Sequence, residues 1–171
     1  MRVSQKFLTY MVVGALVAAL SISCSNEGTT GGGDTGGGET GSHLEYGQFL
    51  PAKDSYTANV TGATSQTTTV TIVKNSDGTC NLKGKVALLG TGNYDASTGK
   101  YKEVDIDIKV NEWYRTKGET DNATSRSVDN LPSSITYFEA RHYSYTSGSI
   151  TTYHLVLSIN EFPLAFVGKA N

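Results

Sequence analysis

The residues whose types could do chemistry are few, and most stand in patterns that lack a partner. Ser97-Thr98-Gly99-Lys100 has the Ser-x-x-Lys spacing in which a lysine activates a serine for acyl transfer. That chemistry needs a helix start and companion Ser-Asp-Asn and Lys-Thr-Gly motifs; neither companion occurs, and residues 95–99 read as a hairpin turn. Gly99-Lys100 also falls short of a phosphate loop, because no glycine stands five residues before Gly99 and Tyr101 replaces the required Ser or Thr. Glu103, Asp105 and Asp107 offer carboxylates to a hard cation, but their period of two lays them along one flat, solvated strand face. Such cations are usually gathered by oxygens converging from a loop. Neither Gly-x-Ser-x-Gly nor His-Glu-x-x-His occurs. The expectation is a non-enzyme with no metal site and no catalytic residue.

Two cysteines remain. Charge is nearly balanced, with 14 basic and 16 acidic side chains. Without Arg2 and Lys6 the balance is 12 − 16 = −4, so there is no electrostatic reason to expect nucleic acid as a partner. Arg2 and Lys6 precede an uncharged stretch from Phe7 to Leu20, and small Ser21 and Ser23 flank Ile22 ahead of Cys24. This order of positive charge, apolar core and small-residue cleavage site is that of a secretory signal, and the stretch is short for a membrane span of about 20 residues.

Leu20-Ser21-Ile22-Ser23-Cys24 resembles the lipobox of bacterial lipoproteins, with Leu20 four residues before the cysteine and Ser21 in the place three before it. The resemblance implies a signal peptide over residues 1–23. It also implies a diacylglycerol on the Cys24 thiol and a further acyl chain on its amine, with no other cofactor. Several acyl chains hold a protein at a bilayer stably, where one is marginal. The partner so implied is the membrane of the cell envelope, and Ser25, in a place where aspartate retains lipoproteins at the inner membrane, favours the outer one. Residues 24–42 carry two Gly-Gly-Gly runs and no aliphatic side chain, the composition of a flexible tether. Cys80, left alone by acylation of Cys24, reads as a small buried hydrophobe.

Residues 43–171 then form one domain. Serine, threonine, glycine and tyrosine dominate and helix formers are sparse, which favours an all-β fold. Asn75-Ser76-Asp77-Gly78 is a turn between strands Thr67–Lys74 and Cys80–Leu88, in a register that sets Ile72 opposite Leu82 and Val70 opposite Gly84. From Tyr101 to Val110, Val104, Ile106, Ile108 and Val110 alternate with Glu103, Asp105, Asp107 and Lys109. Strands Ile135–Tyr145 and Ser149–Ile159 flank a Ser147-Gly148 turn. That turn sets Phe138 opposite Leu157, Ala140 opposite Leu155, and His142 opposite Tyr153, whose phenol is the expected hydrogen-bond partner of the imidazole. With Tyr46–Leu50, Ser55–Thr61 and Leu164–Lys169 the count reaches about eight strands in sequential hairpins, enough for an up-and-down antiparallel barrel to close. The polar stretch Tyr114–Ser134 is expected to be a long loop, disordered or lying over one mouth.

The stretch TTTVTIVKNSDGTCNLKGKVALL within Gln66–Leu88, together with Leu164–Lys169, resembles the calycin-like β-barrel lipoproteins of Bacteroidota-type bacteria. The resemblance implies a lipocalin-like barrel with room for a small ligand. The one tryptophan, Trp113, lies late in the chain, so the ligand residues of true lipocalins do not carry over. The inward residues Val104, Ile106, Ile108, Phe138, His142, Tyr153, Leu155 and Leu157 are the candidate lining for a small, largely apolar ligand. The alternative is a filled barrel acting as a surface interaction module through loops or outer-face tyrosines.

Overall fold

The computed structural model describes residues 43–171, so the expected signal peptide, lipidation at Cys24 and glycine-rich tether fall outside the described residues. The strands run in chain order as β1 (Leu44–Gly47), β2 (Ser55–Asn59), β3 (Thr67–Lys74), β4 (Cys80–Ala87), β5 (Tyr94–Asp95), β6 (Lys100–Tyr101), β7 (Glu103–Thr116), β8 (Asn122–Asp129), β9 (Phe138–Ser147), β10 (Ile150–Ile159) and β11 (Phe162–Ala170). Strands β2, β3, β4, β7, β8, β9, β10 and β11 each pair antiparallel with the stave before them, and β11 returns to β2 through Lys169–Thr57 and Ala170–Tyr56. The result is a closed eight-stranded up-and-down barrel, as the strand count predicts, and it is consistent with a calycin-like fold.

Local chemistry fixes the β3–β4 hairpin. Gly78 takes φ +83°, the Asn75 amide donates to the Thr79 carbonyl at 2.9 Å, and the Asp77 carboxylate accepts from both the amide and the hydroxyl of Thr79. The predicted register holds, with Ile72 opposite Leu82 and Val70 opposite Gly84. On β7, Ile106, Ile108 and Val110 are buried, while Asp105 and Asp107 face solvent. Lys83 pairs with Asp107 at 2.9 Å, and the Asn81 side-chain amide donates to the same carboxylate. The carboxylate ladder is therefore the outer, ion-paired face of the sheet.

Three expectations are corrected. Tyr46–Leu50 is not a stave: β1 ends at Gly47 and pairs only with the upper part of β7, and Phe49, Leu50 and Pro51 turn in over the barrel end. Tyr114–Ser134 is not a loop, because it contains the end of β7 and all of β8. Strand β8 hides from hydropathy because two of its inward positions, Ala123 and Ser125, are small. Ser125 lies opposite the fully buried Trp113, whose bulk fills the space a larger side chain would need, and the Ser125 hydroxyl accepts from the Ala140 amide at 2.8 Å.

The third correction is the β9–β10 register. The loop is Gly148-Ser149, with Gly148 at φ +61° in its first position, as a two-residue hairpin requires. Pairing shifts by two, so Phe138 faces Ile159, Ala140 faces Leu157, His142 faces Leu155, and Tyr153 faces Ser144. An even shift keeps every inward side chain inward.

The core is dense. Val70, Leu82, Val86, Ile108, Val110, Trp113, Leu155 and Leu157 have zero solvent exposure, so no water-sized space adjoins them. At the barrel end away from the β9–β10 tip the β5–β6 hairpin connects β4 to β7. Gln66 clasps that hairpin, its side-chain amide donating to the Tyr101 carbonyl at 2.9 Å and its oxygen accepting from the Tyr101 amide at 2.8 Å.

Candidate functional site at the β9–β10 mouth

Strands β9 and β10 are the longest hairpin of the barrel, ten residues each, and their inward rim residues Ser144, Thr146, Thr151 and Tyr153 line a depression of about 310 Å3. Tyr56 at the start of β2, Leu50 from the covering segment and Asp121 before β8 are among its other walls. Of the eight residues expected to line a ligand site, His142 and Tyr153 reach this mouth. Ile106, Ile108, Phe138, Leu155 and Leu157 lie buried in the core, and Val104 packs half-buried against it.

His142 is held from two sides. Its Nε2 lies 2.6 Å from the Phe49 carbonyl oxygen, which can only accept, so the proton sits on Nε2. Its ring meets Trp113 edge-on at 4.9 Å between centroids. The partner of the imidazole is thus a backbone carbonyl of the covering segment, and not the Tyr153 phenol anticipated from the strand pattern. Nδ1 is left as a neutral acceptor.

Burial lowers the pKa of His142 below the ordinary 6.5, opposed in part by the Phe49 hydrogen bond. It also raises that of Tyr56, so both are uncharged near neutral pH. His154, on the outer face and stacked on Tyr143 at 5.0 Å, is lowered by burial and by nearby Lys169.

A depressed histidine pKa means that the unfolded chain binds the proton first. The stability contributed by these histidines is therefore complete above about pH 6.5 and declines as pH falls through that value toward the folded pKa. Between about pH 6.5 and 4.5, before most carboxylates titrate, the urea midpoint should drop. His142→Gln should flatten that slope, and His154→Gln should flatten it less. A midpoint independent of pH over this window in the wild type would refute the assignment.

Sequence reasoning missed Phe49, Tyr56 and Asp121 beside His142, because they come from three separate segments and only closure brings them together, and it missed Thr151, which the two-residue shift of the β9–β10 register sets opposite Thr146. A second feature lies outside the barrel, where Tyr46 and Tyr137 are about half exposed, Tyr114 sits beside Tyr46, and the Arg126 guanidinium stands 4.4 Å over the Tyr46 ring. Comparison of the chain with family models, with curated proteins and with solved structures returns no match.

Proposed function

We propose that this chain is a lipid-anchored envelope protein, held at the outer membrane through acylated Cys24, whose filled barrel is a non-catalytic platform that binds at its surface. The anchor reading rests on the positive, apolar and small-residue order of residues 2–24 and on the glycine-rich segment that follows. The observation that carries the platform reading is the zero exposure of Ile108, Trp113, Leu155 and Leu157. A barrel built around an apolar ligand would leave such side chains bordering empty space. Placement among calycin-like lipoproteins is part of the same proposal, supported by the closed barrel and by the Lys74–Thr79 turn.

Enlarging Leu155 or Leu157 to Phe tests the filled interior. Each variant should lose about 1 to 3 kcal/mol through overpacking, and the wild type should bind no stoichiometric apolar fluorophore. One fluorophore bound per wild-type chain, lost in both Phe variants without loss of melting temperature, would instead place an apolar ligand inside. For the anchor, Cys24→Ala should abolish incorporation of labelled palmitate and release the protein from the membrane fraction. Continued labelling would defeat the assignment.

A further inference from the structure

We propose that the depression at the β9–β10 mouth is a binding site for a small, uncharged, hydroxyl-rich molecule, a polyol or a saccharide of one or two rings. The proposal rests on the filled-barrel reading, because a packed interior confines a ligand to this outer recess.

The chemistry of the walls selects the class. His142 spends Nε2 on the Phe49 carbonyl, which leaves Nδ1 as an acceptor with no partner among the described residues. The Ser144 hydroxyl and the Tyr153 phenol likewise make no hydrogen bond among the described residues, although both residues line the recess. Tyr56 accepts from the Lys53 amide at 3.3 Å and keeps its own O–H to donate. One obligatory acceptor beside several hydroxyls that both donate and accept is the complement of a ligand whose own groups are hydroxyls.

Charge points the same way. Asp121 is the one formal charge among the lining residues, and the one cation recorded against a lining side chain is Lys53, its Nζ 4.9 Å from the centroid of Tyr153. A carboxylate or phosphate would need converging cations, and an apolar molecule would leave the free polar atoms unpaired. At about 310 Å3 the recess is at the small end of ligand sites, which run from about 300 to 1,000 Å3. The imidazole is also fixed before any ligand arrives, held by the Phe49 carbonyl and the edge of Trp113, so little ordering is lost on binding.

Trp113 supplies the readout, because it is the one tryptophan of the chain and touches the His142 ring. The full chain in phosphocholine micelles, which carry no sugar headgroup, would be titrated with glycerol, maltose and cellobiose, and separately with butyrate and an apolar fluorophore. At least one neutral probe should change Trp113 emission saturably in the millimolar range, and butyrate should not. Ser144→Ala and Tyr153→Phe should each weaken that response by about threefold to tenfold, the loss of one hydrogen bond. Asp107→Asn, exposed on the outer face of β7 and away from the recess, should leave it intact.

No saturable response to any neutral probe, with the fluorophore also unbound, would overturn this site and leave the filled barrel standing. Equal affinity in Ser144→Ala, Tyr153→Phe and wild type would overturn it as well. Stoichiometric binding of the fluorophore, lost in Leu155→Phe, would overturn the filled barrel and this site together.

Discussion

Ile106→Asp is expected to unfold the barrel, while the adjacent substitution Asp107→Asn leaves its melting midpoint almost unmoved. Ile106 is 4 % exposed and faces inward opposite Gly84, where a carboxylate would find neither water nor a cation. Burying that charge unpaired costs several kcal/mol, against a total stability of about 5 to 15 kcal/mol for a domain of this kind. Asp107 points to the other side of the same strand, where Lys83 and Asn81 hold its carboxyl below the usual carboxylate range in open solvent. An asparagine there keeps an oxygen for the Asn81 amide. Thermal unfolding followed by circular dichroism distinguishes the two, and similar midpoints would show that the strand faces are inverted.

Gly84→Ala should be comparably damaging although it adds one methyl group. Gly84 adopts φ +143°, and a Cβ there would collide with the Thr69 carbonyl oxygen on β3, a backbone atom that cannot swing aside. Strain of about 1 to 3 kcal/mol from the dihedral adds to the cost of separating two paired strands, so a loss of at least about 3 kcal/mol is expected. Gly148→Ala is the control: its φ is also positive, but nothing lies within 4 Å of the added carbon, and the expected cost is about 1 to 2 kcal/mol. Equal losses in the two variants would show that backbone approach at Gly84 contributes nothing.

The same glycine shows where sequence reading ends. Its place opposite Val70 is legible from the Asn75–Gly78 turn, but residue type alone does not say why no side chain stands there. The structure uses it for close approach of two backbones. Alternation exposed β7 up to Val110 because Ile and Val there alternate with Asp and Lys. The strand continues to Thr116 through register shifts near Glu112, which break the period and hide Trp113 from any two-residue count. Strand β8 gave no hydropathic signal, since Ala123 and Ser125 are what fits beside an indole. His142 was recognised as inward, but its partner is the backbone of Phe49, and a carbonyl 93 positions away leaves no mark on residue type. The mouth was therefore legible in His142 and Tyr153 and illegible in the residues that tertiary closure delivers.

The seam between β11 and β2 has a consequence in time. Every other junction of the barrel joins strands consecutive along the closed sheet and near in sequence, so each can form as a local hairpin or meander. The last is made by Lys169 with Thr57 and Ala170 with Tyr56, and is braced by the Asn171 side-chain amide donating to Ser55 and Thr57 hydroxyls. Its loop-closure entropy must be met before the pairing returns anything, which makes it the slowest contact to gain. A chain emerging from its amino-terminal side can hold no sealed barrel until residue 169 is out. Until then β2 presents an open edge, a sheet that can still be threaded, unwound or captured by a holdase, and the commitment to a rigid shell is deferred to the final strand.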